Sequence, residues 1–356
     1  MATGWPMKTT YANGDVYSAS DVNDITGTVN LASGAQWAAG KNKIINGDFS
    51  IWQRGTSFSS AGYCADRYIT GTSSTSGFSV SQQTFALGTA PVAGYEGQFF
   101  ADIAGTITNA STGYIQFEQR VEGVRTYAGQ TATLSFWAKG TASGTINIVF
   151  AQNFGSGGSA EVLTTPVNFN ITTSWQRFTT TLTFPSIAGK TLGVNNCLRL
   201  FIVKNMGTSY PTYGTANYTG ALSLWGVQLE QGSTATAFQT ATGTIQGELA
   251  ACQRYYYRTN PVSSAYSRVA SGRATSTTNL DIMVPLPVAM RTTPTSVDFA
   301  SLMTTTANSI SAVAITQPTT TTAVADCTSS GLTSGTFYQV MINNSTSGYL
   351  GFSAEL

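Results

Sequence analysis

The residues able to do chemistry in this chain are few. None of its 356 residues is histidine, which removes Ser-His and Cys-His nucleophiles and every His-ligated metal at once. The four cysteines, Cys64, Cys197, Cys252 and Cys327, lie far apart without a Cys-x-x-Cys pair. They mark neither a zinc site nor a disulfide framework and read as small buried apolar residues. Carboxylates remain. Glycoside hydrolysis needs two of them roughly 5–9.5 Å apart. Glu118 and Glu122 share one strand face, but the intervening strand separates them by about 13 Å, and Arg120 lies between them. A solvated charge ladder is the better reading of that trio. Asp48 and Asp66 form another candidate pair across the fold, although each has an arginine nearby in sequence, Arg54 and Arg67, with which it can pair. No catalytic residue, metal-ligand set or cofactor motif emerges.

Sugar recognition makes different demands: exposed aromatic faces flanked by groups that both donate and accept hydrogen bonds. Trp137 alternates with Leu134 and Phe136, so it points outward if they point inward. Gln116, Arg120, Lys139 and Arg199 fall on the outward face of one sheet or another, and Trp52 falls near a strand end. These six are the candidate glycan-binding residues. The competing expectation for Trp137 is packing under a loop or at a subunit contact. Tyr255, Tyr256 and Tyr257 point three ways if they continue a helix, so they suit packing between domains better than a platform.

The elements that must position these residues are mostly strands. Residues 41–240 alternate apolar and polar positions in short runs separated by Gly, Ser and Asn: Ile115, Phe117 and Val121; Leu134, Phe136 and Ala138; Ile146, Ile148 and Phe150; Leu198, Leu200 and Ile202; Trp225, Val227 and Leu229. That is the pattern of an antiparallel sandwich or jelly roll. Residues 259–356 form a smaller β domain, in which Val284-Pro285-Leu286-Pro287 must sit at a strand end or edge. The Thr-rich part from Thr304 to Thr322 reads as a loop or as a strand buried only between subunits. Residues 1–40 are polar and turn-rich, with too little apolar content for a core of their own. Ser20 can cap a brief turn through Ile25. This extended arm is expected to dock on another protein.

Helical spacing appears in one place, the junction 241–258. Ile245, Leu249, Cys252 and Tyr256 recur four, three and four residues apart, a seam too narrow to stabilise a short helix in water. It must be covered, either by the chain's own sheet or by copies of itself around an axis.

Composition limits the partners. Charged residues make up 9% of the chain and the net charge is +1, against roughly 25% charged in an ordinary soluble domain. No basic footprint for nucleic acid or anionic lipid follows. No apolar run spans a membrane, and the first residues do not read as a signal peptide.

The run Glu248-Leu249-Ala250-Ala251-Cys252-Gln253-Arg254-Tyr255-Tyr256-Tyr257-Arg258 resembles a signature found before the C-terminal domain of bacteriophage tail-fibre and minor tail proteins. The stretches 42–58 and 222–239, with 114–123 and 131–140 between them, look like carbohydrate-binding-module-like jelly rolls in such proteins. Residues 11–30, 287–297 and 348–356 are similar to their N-terminal and distal segments. The resemblance implies a mainly β virion appendage: a docking arm at 1–40, a jelly roll at 41–240, a helical junction at 241–258 and a distal β domain at 259–356. It implies a homotrimer that contacts other virion proteins through residues 1–40 and a host-surface glycan through the jelly roll. It implies assembly in the host cytoplasm, and it allows a structural calcium. A purely structural neck, head or baseplate fibre is the alternative, followed by a polysaccharide depolymerase.

Overall fold

A computed structural model describes residues 40–92, 95–259 and 266–356. The arm 1–39, with its expected docking role and its Ser20 turn, lies outside the described residues. The chain is mainly β. Thirteen strands come first: β1 (Ser57–Phe58), β2 (Gly62–Tyr63), β3 (Tyr68–Ser73), β4 (Thr75–Thr84), β5 (Phe99–Ile107), β6 (Tyr114–Glu122), β7 (Thr131–Gly140), β8 (Gly144–Asn153), β9 (Val162–Leu163), β10 (Val167–Ile171), β11 (Gln176–Thr183), β12 (Cys197–Met206) and β13 (Leu222–Gln231). They build two sheets, ordered β1-β4-β5-β13-β7-β11 and β10-β8-β12-β6-β3-β2, with β9 on β8. Every pairing is antiparallel. The sheets face each other as a jelly-roll sandwich.

The alternation in the sequence explains which side of each strand is buried. Ile115, Phe117, Leu134, Phe136, Ile146, Ile148, Phe150, Leu198, Leu200 and Ile202 all enter one apolar core between the sheets. Trp225 breaks the expected alternation. The register of β13 against β7 shifts between Trp225 and Gln228, where Gly226 takes a left-handed φ of 64°. That bulge inserts one residue. Leu222, Leu224, Val227 and Leu229 then face the core, and Trp225 turns to the outer side, against Trp137 and Phe238.

Distal to the sandwich come β14 (Tyr256–Thr259), β15 (Arg268–Ala274), β16 (Asn279–Pro285), β17 (Ser296–Ala300), β18 (Leu302–Thr304), β19 (Ile310–Ile315), β20 (Thr322–Ser329), β21 (Phe337–Ile342) and β22 (Tyr349–Ser353). They form a three-stranded sheet, β14-β22-β17, and a six-stranded sheet, β18-β21-β15-β16-β20-β19, over a second core. Pro285 ends β16, and the Thr-rich stretch supplies the edge strand β19.

Between the domains lies the only α-helix among the described residues, Ile245–Gln253, capped by the Thr244 hydroxyl, which accepts from Gly247 N–H. Its Glu248 is buried and accepts from the N–H groups of Asn46 and Thr242, each at 2.7 Å. The helix is thereby stapled to the first loop of the sandwich. Cys252 is buried against its own chain, whereas Ile245 and Leu249 are 52% and 36% exposed. The four-residue seam expected at 245–256 is therefore divided. The helix ends before Tyr256, which is buried at the start of β14, because Tyr256–Thr259 pairs with β22 instead of continuing the helical turn.

The residues after the helix hold the two domains together. The Arg67 guanidinium lies 3.4 Å from the Tyr255 ring centroid, Arg54 lies 3.5 Å from that of Tyr256, and Arg258 donates to the Arg54 carbonyl at 2.6 Å. Arg67 also pairs with Glu355 and Arg254 with Glu122 at 3.1 Å, while within the distal sheet Arg258 lies 3.4 Å from the Tyr349 ring centroid and the Tyr256 hydroxyl donates to Asp298 at 2.9 Å.

Candidate functional site

Parity places Tyr114, Gln116, Glu118 and Arg120 on the outward side of β6. Cross-strand register sets Val203 beside Gln116, Phe201 beside Glu118 and Arg199 beside Arg120. Two hollows open on this face. One, of about 250 Å³, is lined by Tyr114, Gln116, Met206, Tyr210 and Tyr213.

Its walls follow from local sequence. Gly113 and Gly207 lie where two loops touch, with no room for a side chain: a Cβ would stand 2.5 Å from Asn109 O and 2.2 Å from Ser111 O. This contact lets Thr208 and Ser209 N–H donate to Ala110 and Ser111 carbonyls, and it brings Tyr210 edge-on to Tyr114 with centroids 5.6 Å apart. Pro211 then starts a single 3-10 turn that Gly214 ends, setting Tyr213 edge-on to Phe201 at 5.2 Å. All three tyrosines and Gln116 are half-buried. Among the described residues no hydrogen bond engages the three phenol hydroxyls or the Gln116 amide. The hollow therefore presents aromatic faces beside uncommitted groups that can donate and accept.

The second hollow, of about 220 Å³, is lined among others by Arg120, Asn153, Ser156, Val194, Arg199 and Leu356. Glu118, 3% exposed, is bound by two arginines that line this hollow. Arg199 donates to both Glu118 oxygens at 2.7 and 3.0 Å and to Glu161 at 2.9 Å, and Arg120 donates to Glu118 at 2.7 Å. Burial disfavours the charge on Arg199, but these two carboxylates outweigh it and hold its pKa above the ordinary guanidinium value. The Glu118–Arg120–Glu122 trio is thus no solvated ladder. Glu118 is enclosed and shared by two arginines, while Glu122 reaches away to Arg254 and the Tyr255 hydroxyl.

The six candidate residues divide between opposite faces. Gln116, Arg120 and Arg199 share the face just described. Trp137 and Lys139 lie on the outer side of the other sheet, and Trp52 lies in a loop, its indole N–H donating to the Phe49 carbonyl at 2.6 Å. Trp137 is not an exposed platform. It is 7% exposed and packs with Phe85, Trp225 and Phe238, because the segment around Phe238 folds over it and Arg177 stacks on its ring at 4.7 Å. Lys139 lies over Phe100 and Trp175. Sequence reasoning missed Tyr114, Tyr210 and Tyr213. The available signal was a tyrosine on either side of a proline, after a strand whose outward positions were already of interest.

The carboxylates considered for catalysis are committed elsewhere. Asp66 accepts from the Gln53 backbone and side-chain amides. Asp48 accepts from the Ser50 hydroxyl at 2.7 Å. Neither forms the arginine pair that its neighbourhood in sequence suggested. A cleft of about 530 Å³ at the helix N-terminus is lined by Asp48, Glu96 and Glu248, with Glu96 accepting from Gly88 N–H. Burial raises the pKa of Asp48 and of Glu248 above the usual carboxylate range. Among the described residues no three His, Cys, Asp or Glu side chains gather as a metal-binding group. No helix among them is long and apolar enough to cross a membrane.

No protein-family model matches the sequence, and no curated protein matches it. Among solved structures, the enzymatically active domain of bacteriophage CBA120 tailspike protein 4 is similar at 12% identity and a TM-score of 0.34, over 54% of this chain and 21% of that one. The chain thus spans about a fifth of the tailspike domain. A carbohydrate-binding module of family 4 is similar at 21% identity and a TM-score of 0.32, over 52% of this chain and 98% of that one. A xylan-binding domain of Paenibacillus barcinonensis Xyn10C shows 12% identity and a TM-score of 0.29, over 55% and 98% of the two chains.

Proposed function

We propose that this chain is a non-enzymatic, glycan-binding appendage protein of a tailed bacteriophage that helps attach the particle to its host. The observation that carries the binding half of this reading is the tyrosine hollow, with its unengaged hydroxyls and the free Gln116 amide. Sugars offer C–H faces to aromatic rings and hydroxyls to such groups. The phage half rests on the sequence signature at 248–258 and its flanking motifs. Ile245 and Leu249, exposed side by side on the helix, support a homotrimer closed by three helices. Residues 1–40 supply the dock to other virion proteins, and the protein resides on the virion after assembly in the host cytoplasm.

Binding of purified protein to host cell-surface polysaccharide and to a glycan array tests the reading. Tyr210→Ala and Tyr213→Ala should each weaken binding by about 1 kcal/mol, the scale of an aromatic contact, without releasing reducing ends from the polysaccharide. Parent protein that binds no glycan would leave the structural-fibre alternative, and reducing-end release would turn the reading to a depolymerase.

A further inference from the structure

Gln116 lines the tyrosine hollow and Arg120 lines the polar one, both on the outward side of β6. From Tyr114 to Arg120 the strand runs about 20 Å, longer than a disaccharide. Glu118 lies between Gln116 and Arg120 on the strand, bonded to Arg199, which lines the polar hollow and lies over the Phe201 ring at 4.5 Å. The far end is walled by the distal domain. Leu356 lines the polar hollow, and its carbonyl accepts from Arg120 and, at 2.9 Å, from the Tyr63 hydroxyl. Arg291 reaches from the distal domain to Asn195 at 2.9 Å, on the loop that forms the rim.

We infer that the two hollows are subsites of one groove that takes an extended, uncharged oligosaccharide, with the distal domain closing one end. This rests on the glycan-binding reading above. The ligand is uncharged because the charges of the face are already matched: Arg120 and Arg199 are balanced by Glu118 and Glu161. Inside the groove an acidic sugar would meet no unpaired cation and an amino sugar no spare carboxylate, and the Arg291 guanidinium at the rim is committed to Asn195 and to the Ala354 and Glu355 carbonyls. Hydroxyl groups can still bond to the edges of the network, since guanidinium N–H groups donate and carboxylate and amide oxygens accept.

The experiment titrates the full chain with linear gluco-, xylo-, manno- and galacto-oligosaccharides graded from disaccharide to hexasaccharide. In the series that binds, affinity should rise about tenfold or more (about 1.4 kcal/mol) from the disaccharide to the longer members. It should change little with added salt, because no net charge is exchanged. Ser156→Trp, at an exposed position, fills the polar hollow. It should abolish the gain with length while leaving disaccharide binding intact, which also shows that the variant is folded. Leu356→Ala should weaken only the longer ligands. Length-independent affinity, or a Ser156→Trp variant that binds long ligands as the parent does, would overturn the groove and leave glycan binding standing. Preference for acidic oligosaccharides with strong salt dependence would overturn its uncharged character. A parent that binds no saccharide overturns both readings.

Discussion

At the scale of single residues, burial decides roles that sequence parity leaves open. Trp137 obeys its parity and does face outward, but a loop covers it. Trp137→Ala should therefore act on stability, costing about 3–5 kcal/mol as a large-to-small core truncation, with glycan binding by the folded fraction unchanged. Chemical denaturation read beside a binding titration separates the two effects. Asp66 makes a second case. Burial pushes its carboxyl up to about 6, against the hydrogen bonds from Gln53 and the nearby Arg54 charge. Because the folded pKa exceeds the unfolded one, protonation of Asp66 stabilises the fold fully below about pH 4. That contribution is lost as pH rises through 6 and amounts to about 3 kcal/mol. Asp66→Asn should flatten the change in stability between pH 4 and 7 by up to that amount, as measured by urea denaturation across the range. An unchanged pH profile would show that Asp66 is not the group responsible. Packing under a loop was one of the two readings left open for Trp137, whereas the enclosure of Asp66 was not legible, since it sits in a turn, where strand parity says nothing about burial.

At the scale of elements, strands were readable and their irregularities were not. Alternation identified β6, β7, β8 and β12 because each buries one face against a single core. The bulge at Gly226 defeats the same reasoning in β13, since one added residue moves Trp225 to the opposite face. The helix was legible from its spacing, but its end was not. Tyr256 keeps helical spacing with Cys252, yet pairing with β22 draws it into a strand. What remains exposed is Ile245 and Leu249. Leu249→Asp should leave the chain folded, because this side chain lies outside its own core. It should also convert a trimer to monomer at neutral pH, with reassociation near pH 4 where the carboxyls are protonated. Sedimentation of parent and variant decides this, and a monomeric parent would sink the trimer.

At the scale of the whole molecule, two cores are joined through a polar seam of arginines, tyrosines and the last residues described. Arg67 is buried, and Glu355 is its charged partner. Glu355→Ala would strand that guanidinium, at a cost of about 3–5 kcal/mol. Calorimetry should then show the distal domain melting separately from the sandwich, and a single unaltered transition would refute the seam's importance. Composition anticipated the low charge, but not that the few charges present would gather at this junction and behind the candidate groove. The junction has a mechanical consequence. The distal domain begins at β14 and ends at β22, which are hydrogen-bonded neighbours, and both ends are clasped to the sandwich. A domain hung from one peptide can swivel, whereas one held along two adjacent strands resists torque like a hinge with two pins. A load applied at the distal sheet then reaches the sandwich through two strands at once, beside the face that holds the polar hollow.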